Sequence, residues 1–278
     1  MVHFPRRFLM INLSYIQLYP NMNMSFFFWF CFPILWMDIA NVPDLKPKPR
    51  VVFLVSKDPL NYEADKTIPV FAEKLKDQMK YRVKVIEAKG PRISAHLPEI
   101  DAIKKADLLV VFCRRLALKP DQMQVLQDHY EQGKPIVGFR TANHAFTVRE
   151  TIPDGYVDWA DFVPDVLGSE NRGYEPEELG TVVRIIHDQK DHPVLEGIDS
   201  NTWRSKGQVY KSAPLEDPEA EILLTGSTEN LTEPFAWTRI TRYGGRVFYT
   251  ALGYPDDFNS PEFFRLARNG IQWALNEK

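Results

Sequence analysis

The stretch KPIVGFRTANHAF, residues 134–146, passes from an apolar segment through Gly138 into Arg140, Thr141, Asn143 and His144. A strand that ends in a turn and then releases reactive side chains is how many α/β enzymes present a nucleophile. No Ser or Cys stands at this turn; an arginine does. A guanidinium stays protonated near neutral pH and cannot attack a carbonyl. Its planar fork of donors instead suits carboxylate, phosphate or vicinal hydroxyls. Arg114 and Arg115 follow another apolar run, DLLVVFC (107–113), and Ser56, Lys57, Asp58, Asn61, Tyr62 and Glu63 follow RVVFLVS (50–56). The expected chemistry is recognition of an oxygen-rich or anionic small molecule by Arg114, Arg115 and Arg140, with Tyr62, Thr141, Asn143 and His144 beside them. Each has a plainer alternative. Arg114 and Arg115 also fit as surface charges or partners of a loop carboxylate. His144 also fits as a turn cap or a core histidine bonded to a carbonyl.

These residues meet only if the runs before them are strands of one sheet. RVVFLVS and DLLVVFC are β-branched and apolar without alternation, the pattern of strands buried on both faces of a parallel sheet. YRVKVIEA (81–88) alternates and reads as a strand nearer an edge, and KPIVGF (134–139) as a fourth strand. Between them Ile68, Phe71, Leu75 and Met79 recur at helical spacing. LPEIDAIKKA reads as a short helix, and KPDQMQVLQDHYEQG (119–133) as a helix with proline at its start and Gly133 as its stop. Alternating strands and helices predict an α/β, flavodoxin-like, doubly wound and mostly parallel sheet with helices on both faces. In such sheets ligands bind beyond the carboxyl ends of the strands, so the loops named above should converge. A helix opening after Phe139 would add its free N–H groups to the same place. Residues 147–180 read as an irregular excursion bordering the site. TVVRIIH (181–187), AEILLTGS (220–227), PFAWTRI (234–240) and GRVFYTALG (245–253) read as further strands, the last two joined in a hairpin at Tyr243-Gly244-Gly245. Glu262 to Leu275 is an amphipathic helix.

The chain has 278 residues and a formal charge of −3, which gives no reason to expect nucleic acid as a partner. Residues 1–37 hold no Asp or Glu, and FFFWFCFPILWM (26–37) is an unbroken apolar run. Its length suits a signal-peptide core and is short for a membrane span of ~20 residues. The expectation is an export signal or membrane anchor over 1–42, a proline-rich linker over 43–49 and one domain over 50–278. That places the domain in the periplasm or outside the cell, with membrane contact only through the N-terminal segment. A mis-called start, with a cytoplasmic protein, is the alternative. Two cysteines make no disulfide framework, and Cys113, ending an apolar run, reads as a small core residue. His187 and His192 flank DQKD without a third ligand at sensible spacing, so no metal is expected. No phosphate loop, dinucleotide fingerprint or zinc-type cysteine spacing names a cofactor.

Four motifs in order, GKPIVGFRTANHAF, HPVLEGI, EPFAWTRITRYGGRVFYTALGYPDDF and FFRLARNGIQWAL, resemble the ThuA-like (trehalose-utilisation) family, of class I glutamine amidotransferase-like fold. The resemblance covers about residues 50–276. RRLALKPDQM and RTANHAF look like a branch found in bacteria that export many sugar-degrading proteins. The resemblance implies a role in disaccharide or keto-sugar breakdown. True glutamine amidotransferases carry a cysteine at the elbow that Arg140 occupies here, so cysteine glutaminase chemistry is excluded. The family usually closes its last strand with Leu-Gly-His, whereas this chain has Tyr254 there; where a glutamate is common it has Gln208. The resemblance implies His144 as proton shuttle and Tyr254 as a second catalytic group, with Asp256 and Asp257 closing the rim. Replacement of two ionisable groups by neutral ones leaves open a non-catalytic sugar-binding or scaffold module on the same fold. The expected partner is a small sugar derivative; the oligomeric state, a homo-oligomer included, stays open.

Overall fold

In the computed structural model the described residues are 47–277. The segment expected to be an export signal, with Cys31, and most of the 43–49 linker lie outside them. Among the described residues no helix is long and apolar enough to cross a membrane.

The apolar runs become β1 (Arg50–Ser56), β3 (Leu108–Phe112) and β4 (Ile136–Phe139), in which every residue but Arg50 is buried. The alternating run becomes β2 (Arg82–Ala88), which is indeed an edge strand. After it come β5 (Thr181–Ile185), β6 (Thr202–Ser205), β7 (Glu221–Ser227), β8 (Thr232–Ile240) and β9 (Arg246–Thr250). They form one nine-stranded sheet in the order β2-β1-β3-β4-β9-β8-β7-β5-β6. From β2 to β9 neighbours run parallel, as α/β crossovers require. From β9 to β6 they run antiparallel, because β8 returns into β9 through a hairpin. The flavodoxin-like α/β reading therefore holds for the first half of the sheet, with an antiparallel extension. In this extension β6 is a strand of four residues that no sequence pattern announced.

Helices α1 (Ala64–Met79), α2 (Asp101–Lys104), α3 (Pro120–Glu131) and α4 (Pro261–Ala274) cover the sheet. Helix α1 buries Ile68, Phe71 and Leu75, the residues picked by spacing. Phe71 meets the rings of Phe53, Phe139, Phe258 and Phe264 at 5.4–6.1 Å. Burial of one such ring stabilises by ~1.5–3 kcal/mol. Helix α4 is N-capped by Ser260, whose hydroxyl accepts from Phe263 N, and it buries Phe263, Leu266 and Ile271 against the sheet. No long helix opens after Phe139; residues Arg140–His144 form a 3-10 turn. The extra field expected from a helix N-terminus is thus missing at that point.

Candidate functional site

One buried side chain ties three strand ends together. Asn61 Nδ2 donates to Ser56 O at the end of β1 (2.9 Å) and to Phe112 O at the end of β3 (3.0 Å). Its Oδ1 accepts from Thr141 Oγ1, just past β4, at 2.5 Å. The β3 and β4 loops are further stitched by Arg115 N to His144 O (3.1 Å) and Leu116 N to Ala145 O (2.7 Å). Past β9, Asp257 accepts from Gly253 N and Tyr254 N (both 2.9 Å) and from Ser205 Oγ (3.0 Å). These bonds fix the four loops around a cavity of about 680 Å³, the size of a small-ligand site.

Tyr62, Tyr174, Tyr210 and Tyr254, Arg114, Arg115 and Arg149, Glu63, Glu175 and Glu177, Gln208 and His144 line the cavity. Of the residues picked from sequence, Tyr62, Arg114, Arg115, His144 and Tyr254 therefore meet there, as the strand-end argument required. The others do not. Arg140, expected on the rim, is wholly buried behind the wall. Its Nη1 donates to Ala251 O (2.9 Å) and its Nη2 to Gln208 Oε1 (2.5 Å). Its Cζ lies 3.9 Å from the Tyr62 ring centroid and 5.0 Å from that of Tyr210. The guanidinium thus braces the tyrosine wall from behind. Its left-handed φ of 43° turns the chain sharply enough to aim it inward. Gly207 admits this packing: a Cβ there would sit 2.5 Å from Arg140 Nη1. Thr141 and Asp257 are likewise buried and occupied by the internal bonds just described. Asp256 stands outside the cavity, paired with Lys206.

His144 is 4% exposed. Its Nδ1 faces Asn143 Oδ1 and lies 2.8 Å from Asn171 Nδ2. That nitrogen is held by amide side chains, which leaves Nε2 on the cavity side. Asn143 is buried beside a smaller cavity of about 270 Å³ that His144 also borders, and its Nδ2 has no partner among the described residues. Burial, together with the charges of Arg115, Arg114, Arg149 and Arg140, holds the His144 pKa well below the ordinary imidazole value. The ring is neutral at neutral pH. Among the described residues no carboxylate bonds to it, so the pairing that would raise its basicity is missing there.

The tyrosines differ in what they offer. Tyr62 Oη accepts from Gln208 Nε2 (2.7 Å) and Tyr210 Oη (3.4 Å), which leaves its own proton for a ligand oxygen. Tyr254 Oη donates to Glu177 Oε1 at 2.8 Å. That bond, with partial burial, raises the Tyr254 pKa, so it is no base. Burial pushes Tyr210 well above the usual phenol range.

Sequence reasoning missed Tyr174, Tyr210, Glu175, Glu177 and Arg149. The first four come from two segments joined by the isolated bridge Tyr174–Tyr210 and by Glu175 N to Val209 O (2.9 Å). One lay in the irregular excursion and the other in a stretch without strand pattern, so only their folded pairing brings the rings to the cavity. Among the described residues no group of His, Cys, Asp and Glu is arranged to hold a metal ion. Cys113 is fully buried, and burial raises its thiol pKa, as befits a core residue.

The family described as ThuA, trehalose utilisation, matches residues 51–274. Among solved structures, a ThuA-like protein from Bacteroides uniformis superposes with a TM-score of 0.61 at 14% identity, covering 82% of this chain and 93% of that one. A ThuA-like protein from Parabacteroides merdae gives 0.58, also at 14% identity, covering 82% and 90%. At these identities the superpositions speak for the fold alone. No curated protein matches the chain.

Proposed function

Given that the chain belongs to the ThuA, trehalose-utilisation, family, we propose that its strand-end cavity binds a sugar derivative in carbohydrate breakdown. The observation that carries this reading is the lining: four tyrosines share one cavity of ligand size with arginine, glutamate and glutamine side chains. Aromatic faces pack against the C–H faces of a sugar ring, while forked polar groups take its hydroxyls. Tyr62 donates its free proton, the Glu177 carboxylate accepts, and the arginines hold carbonyl or acidic oxygens.

A chemical step would rest on His144. With Nδ1–H donated to Asn143 Oδ1 and Asn171 Nδ2 donating to that same oxygen, Nε2 takes a proton from a ligand hydroxyl, or from carbon beside a carbonyl. Arg115 and Arg114 then stabilise the negative charge that develops on oxygen. A depressed pKa keeps this base available over the whole neutral range but makes it weak. The second reading, a sugar-binding module without catalysis, is favoured by that weakness and by the Tyr254 proton already committed to Glu177. On either reading we place the domain in the periplasm or outside the cell, on the apolar run before it.

A thermal-shift screen of the full chain against disaccharides, keto-sugars and sugar acids tests the proposal. A ligand of the native state must raise its unfolding temperature. Turnover of a hit that vanishes in His144→Gln, with binding retained, selects the catalytic reading. Binding without turnover selects the module.

A further inference from the structure

Charge is unevenly spent around the cavity. Each glutamate of the lining already has a partner: Glu63 pairs with Lys66, Glu175 with Lys211, and Glu177 accepts from Tyr254. Arg114 shares Asp58 with Arg92. Arg115 and Arg149 have no carboxylate within ion-pair distance among the described residues. Arg115 is only 5% exposed, and the acceptor it finds is one backbone carbonyl, Thr147 O at 2.9 Å. A guanidinium taken out of water without a counter-charge is costly. Burial and the neighbouring charges of Arg149 and Arg114 lower the Arg115 pKa to about 10. The backbone of Arg115 is also held at a left-handed φ of 52°. The fold therefore keeps two uncompensated cations side by side on one cavity wall. Both arginines line the two cavities that His144 borders, and Arg115 N donates to His144 O.

We propose that Arg115 and Arg149 form an oxyanion subsite beside His144, so that the molecule this cavity takes is a sugar bearing a carboxylate or phosphate group. The inference rests on the reading of the cavity as a sugar site and narrows it. The anion lies in the fork of Arg115 with Arg149 closing over it, and the ring of the sugar extends toward Tyr174, Tyr210 and Tyr62. Neutral His144 presents no competing charge, and the anion offsets the mutual repulsion of the arginines. Both sources of the oxyanion meet the same forked donors.

Calorimetric titration of the full chain with glucose, glucuronate, gluconate and glucose 6-phosphate at low ionic strength tests this. At least one anionic sugar binds about tenfold or more tightly than glucose, the worth of a charge-assisted bond. Added salt narrows that gap. Arg149→Gln, at an exposed position, weakens binding of the anionic sugar several-fold more than binding of glucose and so removes most of the preference. Arg115→Gln goes further but also bears on folding, so Arg149→Gln carries the test. Glucuronate ahead of glucose 6-phosphate identifies a carboxylate, and the reverse order a phosphate. Glucose binding as tightly as the anions, or a preference that survives in Arg149→Gln, overturns the subsite while the sugar reading stands. No binding of the three anionic sugars, with a neutral sugar found in the thermal-shift screen, overturns the subsite alone; no ligand in either experiment overturns both.

Discussion

Acidification from pH 6.5 to pH 5 should destabilise this fold through its buried histidines. His129 is 2% exposed; one ring nitrogen, Nε2, lies 3.1 Å from Pro135 O and the other, Nδ1, has no partner among the described residues. Burial lowers its pKa to about 4. His144 is held well below its ordinary value by burial and four arginines. In the unfolded chain both titrate near ~6.5. Below that pH the unfolded state binds protons that the folded state refuses, so stability falls as pH falls. Each imidazole contributes a slope approaching ~1.4 kcal/mol per pH unit, so the pair approaches ~2.7. His192, lowered chiefly by burial, adds in the same direction. Asp257, whose pKa is raised by burial, acts in the opposite sense as its carboxyl titrates. Urea unfolding at fixed temperature, repeated every half pH unit, reads the slope. In His129→Gln, which keeps a donor toward Pro135 O, the slope should drop by ~1.4 kcal/mol per unit, and this difference cancels the Asp257 contribution. A flat profile between pH 6.5 and 5, or a slope unchanged by His129→Gln, refutes the claim that these rings are buried neutral.

Gly207→Ala should disturb the cavity without touching a lining side chain. The new Cβ lies 2.5–2.9 Å from the Arg140 guanidinium, so the fork must leave Gln208 and Ala251 O. Overpacking costs ~1–3 kcal/mol, read by denaturant unfolding, and ligand affinity falls as Tyr62 and Gln208 lose their brace. Asn61→Ala removes the clamp on three strand ends and leaves Ser56 O, Phe112 O and the Thr141 hydroxyl short of partners. A loss of ~2–4 kcal/mol is expected, with increased amide exchange confined to residues 56–62, 112–115 and 140–145.

The strands β1, β3 and β4 were legible because burial on both faces imposes a continuous apolar run, and α1 because its buried face repeats every three to four residues. The topology rule that gathers loops at the carboxyl ends of parallel strands accounts for Tyr62, Arg114, Arg115, His144 and Tyr254 lining one cavity. What the one-dimensional pattern could not carry was which way a side chain turns. Arg140 and Arg115 are the same residue type at matching strand ends, both with left-handed backbones. One is drawn inward by Ala251 O and Gln208, while the other stays on the cavity wall, and only partners 68 and 111 residues away decide this. Replacement of Arg140 therefore bears on folding as well as binding. Tyr174 and Tyr210 escaped for the same reason, since their pairing joins two segments with no repeating pattern. The four-residue β6 was too short to show a period.

Sugar binding at the strand ends is proposed to depend on the tyrosine-walled cavity there. Tyr174, half exposed at its edge, tests it with least risk to the fold. Calorimetric titration of the best ligand from the sugar screen into wild type and Tyr174→Ala should show a loss of ~1–2 kcal/mol, roughly five- to thirty-fold in Kd, with unfolding stability unchanged. Equal affinity in the two proteins would place the ligand elsewhere and contradict the claim.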